Sequence, residues 1–146
     1  MQTILDQTTR EGLIKRIQGL DENSRAQWGK MNVYQMLKHC TKWEEMLLGR
    51  KKYRQSFIGR LFGKMALRDM LKDEPIKQNL PTVPSFKITD TGDVEKAKST
   101  WISLIREHTN QHNIGFVHPF FGQLTAEQAG IMAYKHIDHH LRQFNA

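Results

Sequence analysis

The sequence predicts an all-α protein, and three observations support that class. Apolar residues recur at spacings of three and four in several segments of the chain, which is the period of a helix with one buried face. Residues 32–35 and 125–128 each have the side-chain pattern of a capping box. Three of the four prolines fall in one stretch without helical periodicity, residues 73–93. Four longer helices with one long crossover connection therefore predict an antiparallel bundle.

Two helices are predicted in the N-terminal part. The first spans about residues 8–19. The second starts at Asn32, where Gln35 completes a capping box, and Gly49 is a suitable residue to end it. The apolar faces consist of Leu13, Ile14, Ile17 and Leu20 in the first helix and of Val33, Met36, Leu37, Cys40, Trp43 and Leu47 in the second.

A third helix is predicted from an apolar set with basic residues on its other side. A helix packed on the core and a helix lying on a membrane surface share this pattern. We favour packing on the core, because it is the commoner arrangement. The apolar set is Phe57, Ile58, Leu61, Phe62, Met65 and Met70, and the basic residues of this region are Lys51, Lys52, Arg54, Arg60, Lys64, Arg68 and Lys72.

Two further helices are predicted in the C-terminal part. The stretch 73–93 forms a long extended connection, in which Val83, Phe86 and Ile88 alternate. A fourth helix follows and ends at Asn113 and Gly115. After a loop at residues 116–122, the last helix runs from the second capping box to about Phe144. The fourth helix is marked by Val94, Ala97, Trp101, Leu104 and Ile105, with Asp93 and Glu95 near its positive end.

Composition favours a single soluble domain spanning residues 1–146. No apolar run approaches the roughly 20 residues of a membrane helix, and the single cysteine excludes an internal disulfide, so a cytoplasmic location is the simplest expectation. The net charge is +7. The basic segment 51–72 could attract nucleic acid, an anionic membrane or an acidic small molecule, but a solvated helix face is the preferred interpretation. We therefore expect neither a nucleic-acid partner nor a membrane partner.

A histidine pair carries the strongest functional signal. His136 and His140 are four residues apart, so they lie one turn above each other on a helix, and they continue an apolar stripe. Buried imidazoles need partners, which a shared metal ion or hydrogen bonds within the core would supply. His39, at the edge of the apolar face of the second helix, is the candidate for a third ligand. Together His39, His136 and His140 predict a three-histidine metal site with positions left for water or substrate.

Other candidates on the same two helices are weaker. His139 lies next to the stripe, which suits a residue that supports a ligand or a surface residue. Asp138 could orient an imidazole, but helical geometry turns it away. Cys40 lies on the apolar face and is interpreted as a packing residue rather than a nucleophile. No Ser-His-Asp order or glycine-rich phosphate loop is present.

The remaining histidines lie in the C-terminal part of the chain. His108 and His112 are also four apart, but they are placed at the end of the fourth helix. We interpret them as solvated, or as caps of free carbonyl groups. His118 precedes Pro119 between aromatic residues, which indicates a packing role, with a place at the rim of the site as the alternative.

Three segments of the chain resemble a known superfamily. They are WGKMNVYQMLKH at residues 28–39, HPFFGQLT at residues 118–125 and KHIDHHLRQF at residues 135–144. Their order and spacing resemble the DinB/YfiT-like superfamily of metalloenzymes, in particular a branch described only as a domain of unknown function. After His140 the chain reads Leu-Arg-Gln where many members have Arg-Gly-Gln.

The resemblance implies a fold, a site and a class of activity. The fold would be an up-down-down-up four-helix bundle, and the metal ligands would be His39, His136 and His140. The ion would be divalent, with zinc or nickel preferred. Members with known activity are transferases of low-molecular-weight thiols, or hydrolases and isomerases of thiol conjugates, and members often form dimers. The first hypothesis is therefore a metal-dependent transferase or hydrolase that acts on a small-molecule substrate with such a thiol. The alternative is a non-catalytic bundle with a binding or stress-response role.

Overall fold

The part of the chain that the structure describes folds into five α-helices and one small hairpin. The structure is a computed structural model, and it describes residues 1–108 and 116–146. The all-α class predicted from the sequence agrees with this predominantly helical structure. The elements are α1 (Gln7–Gln18), α2 (Val33–Leu47), α3 (Phe57–Met70), α4 (Val94–Arg106), β1 (Val117–His118), β2 (Gly122–Gln123) and α5 (Ala126–Gln143).

Side-chain caps start all five helices. Both predicted capping boxes are present, at Asn32 with Gln35 and at Thr125 with Gln128. In each box the side chain of the first residue accepts a hydrogen bond from the backbone of the second, and the second side chain accepts one in return. These bonds satisfy amide groups that the helix itself leaves without a partner. Asp6, Ser56 and Asp93 cap the other three helices.

The core lies where α1, α2, α4 and α5 meet. Helix α2 packs on α4 and α5, and α1 packs on the same two helices. The predicted apolar face of α2 is confirmed, because its six residues are all buried. At the end of the chain Arg16 of α1 forms an ion pair with Asp138 of α5 and donates to the backbone oxygen of Ala146.

The fourth helix is shorter than expected. It ends at Arg106, with Glu107 as its C-cap, whereas the periodicity predicted an end at Asn113 and Gly115. Those two residues and His112 lie outside the described residues. The connection after α3 lacks regular helix, as predicted, apart from one 3-10 turn at Pro84–Phe86.

The expectation that the apolar set of α3 packs on the core is wrong for five of its six members. Phe57, Ile58, Leu61, Phe62 and Met65 are between 51% and 75% exposed. The opposite face is buried instead, where Gly59 and Gly63 lie against the backbone of Phe120 in the hairpin. Glycine decides this orientation, since only a face without Cβ atoms can approach a backbone so closely.

No helix in the described part of the chain is both long and apolar enough to cross a membrane.

The close approach of α3 to the hairpin predicts an asymmetry between two glycine substitutions. A Cβ atom at Gly63 would collide with the carbonyl oxygen of Phe120, whereas one at Gly12 of α1 meets no atom within 4 Å. We expect Gly63→Ala to lower the free energy of unfolding by about 1–3 kcal/mol, as overpacking does. Gly12→Ala should raise it by about 0.5–1 kcal/mol through helix propensity alone. Urea denaturation measures both, and equal effects of the two substitutions would contradict this packing.

Candidate metal centre

Three imidazole rings meet between α2 and α5. One ring nitrogen from each of His39, His136 and His140 belongs to a set whose members all lie within 4.8 Å of one another. The Nε2 atoms of His39 and His136 are 2.9 Å apart. The ring centroids are separated by 4.7 to 5.0 Å. The structure thus brings together the three histidines that the sequence singled out.

Hydrogen bonds orient two of the three rings. His39 donates from Nδ1 to the carbonyl oxygen of Phe86, at 3.1 Å. His140 donates from Nδ1 to Oε1 of Gln143, at 2.8 Å. A neutral imidazole that carries its proton on Nδ1 has a lone pair on Nε2. Both rings are therefore held in the tautomer that a metal ligand needs, by carbonyl groups that act as orienting partners.

The spacing fits a shared metal ion after a small adjustment. Nitrogens bound to zinc at about 2.0–2.1 Å lie roughly 2.9 Å apart at a right angle and about 3.4 Å apart in a tetrahedron. The contact between His39 and His136 is already within that range. The nitrogens of the set lie at most 4.8 Å apart, so the widest pair has to close by no more than about 1.4 Å to reach the tetrahedral spacing.

Burial keeps these imidazoles uncharged. It lowers the pKa of His140 to about 3 and places the pKa of His136 well below its usual value, with neighbouring imidazoles adding to the effect. Burial also lowers the pKa of His39, partly offset by the hydrogen bond to Phe86. Neutral imidazole is the form that binds a metal ion. The Nδ1 atom of His136 is buried without a hydrogen-bond partner among the described residues.

Aromatic side chains form the wall of the site. Trp43 of α2 stacks on His136, with ring centroids 4.5 Å apart and planes inclined by 20°. Phe86 packs edge-on against both His39 and Trp43. The sequence marked Trp43 only as a core residue and Phe86 only as part of an extended piece. Neither role was signalled by spacing, because both depend on contacts between distant segments.

Polar residues of α5 anchor the helix that carries two of the ligands. Gln143 donates to the carbonyl oxygen of Trp28 while it accepts from His140. Lys135 is buried and donates to the backbone carbonyls of Lys72 and Glu74. The sequence did not indicate these anchoring roles. The sequence shows that Gln143 and Lys135 carry hydrogen-bond donors, but it does not show which carbonyl oxygens accept from them.

Two residues that lie between His136 and His140 in the sequence, Asp138 and His139, have different surroundings. Asp138 faces away from the imidazoles, as helical geometry predicted, and forms ion pairs with Arg16 and Arg142. His139 is buried rather than on the surface. Its ring lies edge-on to those of Trp28 and His140. It lies outside the set of converging nitrogens.

His118 packs among aromatic side chains, as the sequence indicated, and its tautomer is defined. Its Nδ1 accepts hydrogen bonds from the backbone amides of Phe120 and Phe121, so its proton is on Nε2. The ring stacks on Phe121 and lies 4.9 Å from the ring of Trp43. Burial lowers the pKa of His118 to about 3. The Nε2–H group is buried without an acceptor among the described residues.

The expectation that His108 is solvated or caps carbonyl groups is wrong. Its side chain is buried and contacts Glu44 of α2, with Nε2 and Oε2 only 2.5 Å apart. Glu44 is itself fully buried. The pair joins the end of α4 to α2 and gives Oε2 of the buried carboxyl group a partner, which explains why both side chains turn inward, while Oε1 of Glu44 is buried without a hydrogen-bond partner among the described residues. Cys40 packs in the core, as predicted, and burial raises the pKa of its thiol well above the usual value.

Comparison with known proteins identifies the family. The family described as "Protein of unknown function (DUF1569)" matches residues 2–146, so the chain belongs to the DUF1569 family. No curated protein and no solved structure matches the chain significantly. The comparison thus shows a family of unknown function, while any relation of this chain to DinB/YfiT-like proteins stays a prediction.

The low pKa of His118 predicts an acid-sensitive contribution to stability. Between its ordinary value of 6.5 and about 3, the unfolded chain binds a proton here and the folded protein does not. The free energy of unfolding therefore falls as the pH falls through this window, by up to about 1.4 kcal/mol per pH unit. Above pH 6.5 this histidine contributes no pH dependence.

The variant His118→Asn isolates the contribution of His118 to this pH dependence. The asparagine oxygen can accept the same hydrogen bonds from the backbone, but asparagine does not titrate. Urea denaturation at several pH values should show a shallower slope in the variant below pH 6.5 and parallel behaviour above it. Identical slopes in both proteins would contradict the assignment of His118 as a buried neutral imidazole.

Proposed function

We propose that this protein binds one divalent metal ion, zinc or nickel, through His39, His136 and His140. The observation that carries the proposal is the convergence of three uncharged imidazoles, two of them oriented by carbonyl groups, from two different helices. Imidazole nitrogen suits both ions. Three protein ligands would leave positions for a substrate or for water, which is the arrangement of catalytic sites rather than structural ones.

We further propose that the fold is a DinB-like four-helix bundle. The packing of α1, α2, α4 and α5 supports this, because each of the four contacts two others in a closed ring. The long crossover of such a bundle would run from α2 to α4 and would contain α3 and residues 71–93. The ligand positions on α2 and α5 then correspond to those of the superfamily.

The proposed activity is that of a metal-dependent transferase or hydrolase acting with a low-molecular-weight thiol. When bound, the ion would lower the pKa of a thiol or water and so supply a nucleophile at neutral pH. The chain's own contribution is to hold neutral ligands and to exclude water with Trp43 and Phe86. The ring of His118 contacts both Trp43 and Phe86, and its buried Nε2–H group is a spare hydrogen-bond donor near this wall. The choice of a thiol as the co-substrate is taken from the resemblance to DinB/YfiT-like proteins.

The second candidate is a non-catalytic bundle with a binding or stress-response role. One observation favours it: the Nε2 atoms of His39 and His136 lie at hydrogen-bond distance, 2.9 Å. A proton on Nε2 of His136 would join these two nitrogens by a hydrogen bond, while Nδ1 of His136 would still lack a partner among the described residues. Metal analysis separates the two candidates.

Elemental analysis of protein purified without a histidine tag tests the metal site. After supplementation with zinc or nickel and gel filtration, we expect about one ion per chain. His136→Ala should weaken binding by more than about 100-fold, because loss of a supporting group alone costs 10- to 100-fold. Metal at 100 times its dissociation constant should raise the free energy of unfolding by about 2.7 kcal/mol in the wild type.

His139→Gln is the matched control, since His139 is a buried histidine of the same helix outside the converging set. It should retain the ion. Absence of metal from the supplemented wild type would exclude the metalloprotein and leave the non-catalytic bundle. Equal loss from both variants would show that α5 was disturbed rather than that a ligand was removed.

Cobalt-substituted protein tests the thiol. Cobalt(II) also binds histidine sites, and a bond from a thiolate to cobalt adds a charge-transfer absorption in the near ultraviolet. We expect free cysteine to produce that absorption and serine, which differs only by a hydroxyl for the thiol, to leave the spectrum unchanged. If cysteine does not change the cobalt spectrum, the proposal that a thiol binds the metal is excluded, and the proposal of the metal site is unaffected.

A further inference from the structure

We propose that the outer face of α3 docks on an anionic lipid surface. This face, here called the α3 strip, is formed by five large apolar side chains that are 51% to 75% exposed: Phe57, Ile58, Leu61, Phe62 and Met65. The proposal is independent of the metal site.

The α3 strip is held outward by the packing of the helix. Gly59 and Gly63 lie on the opposite side and approach the backbone of Phe120, and Leu67 is buried on the same side. Rotation of the helix to bury the strip would replace these glycines with large side chains against a backbone. The exposure is therefore a consequence of how the helix is attached. A set of five large apolar side chains held in solvent marks an interaction surface.

Positive charge surrounds the α3 strip. Arg60, Lys64 and Arg68 follow one another at intervals of four, so they form a row along its edge. Lys52 and Arg54 precede the helix and are exposed. None of these five cations has an ion pair with a described residue, in contrast to Lys51, which pairs with Glu45, and Lys72, which pairs with Asp69.

Negative charge is scarce in the same region. Asp69 is the only acidic residue between residues 51 and 72, and Lys72 neutralises it. An apolar face with an unpaired basic edge has the composition of helices that lie in the plane of a membrane interface. There the apolar side chains enter the acyl boundary, and the long basic side chains reach the anionic headgroups.

A second copy of the chain fits the α3 strip less well. A standard interface buries about 800 Å² on each partner, while even a wholly exposed aromatic side chain offers only about 150–250 Å². Five side chains at 51% to 75% exposure fall short of that area. A self-association would have to recruit the surrounding cations. It would place unpaired positive charge next to positive charge, whereas an anionic surface neutralises it.

Vesicle co-sedimentation of the full chain tests the proposal. Vesicles of phosphatidylcholine alone are compared with vesicles that also contain phosphatidylglycerol, at low and at high salt. We expect binding to the anionic vesicles only, weakened by salt as screened charges require. Absence of binding to anionic vesicles at low salt, or equal binding to both kinds, would overturn the proposal.

Two variants separate the apolar and the electrostatic contributions. Phe62→Ser should weaken binding about tenfold or more by removing an inserted ring. Its control is Leu80→Ser, because Leu80 is exposed to nearly the same extent, 49% against 51%, but lies outside α3. If binding to anionic vesicles is unaffected by Phe62→Ser, the contact is simple electrostatic adhesion and docking through the strip is overturned.

The charge pair is Lys64→Glu with Arg68→Glu, expected to weaken binding by at least about tenfold. The matched control is Lys15→Glu with Lys96→Glu, which reverses the charge of two lysines that are exposed on other helices. Equal losses in both double variants would indicate an effect of net charge alone and would overturn the proposal.

Analytical ultracentrifugation completes the test. A dimer that Phe62→Ser dissociates would identify a second copy as the occupant and would also overturn it.

Discussion

The burial of uncharged imidazoles at one point is the constraint on which the described architecture depends. His39 and His140 each need an acceptor for the proton on Nδ1, because an unpaired polar group inside a protein is costly. One acceptor is a backbone carbonyl of Phe86, in the long connection, and the other is Gln143, near the end of the chain. The requirement therefore positions the connection at Phe86, which carries no ligand itself, and the last turn of α5, the helix that carries two ligands. The bond to Phe86 leaves the Nε2 lone pair of His39 turned toward Nε2 of His136, 2.9 Å away.

Helix α5 transmits this constraint to the rest of the domain. Lys135 reaches the carbonyls that follow α3, Asp138 pairs with Arg16 of α1, and Gln143 bonds to the carbonyl of Trp28. These polar side chains tie one helix to three separate segments. Because they lie among the histidines, the contacts that fix the helix also fix the direction of its ligands. Packing of the fold and geometry of the site are thus one set of interactions rather than two.

The two faces of α3 show how side-chain size can decide an orientation against hydrophobicity. A count of apolar residues favours burial of the face with Phe57, Leu61 and Met65. The hairpin instead accepts the glycine face, because its backbone at Phe120 leaves no room for larger side chains. The result is an apolar surface beside unpaired cations, which a packed core helix would not present.

Local features of this protein were determined by its sequence, and long-range ones were decided by the tertiary structure. Helix starts were predictable, since a cap such as Asn32 with Gln35 involves atoms three residues apart. The convergence of His39 with His136 and His140 was also predictable, because spacing placed them on two apolar faces. The orientation of α3, the Glu44–His108 pair and the acceptor carbonyl of Phe86 were not. Every residue has a carbonyl group, and every helix has several faces. Only the packing of distant segments selects which carbonyl meets an imidazole and which face meets a neighbour.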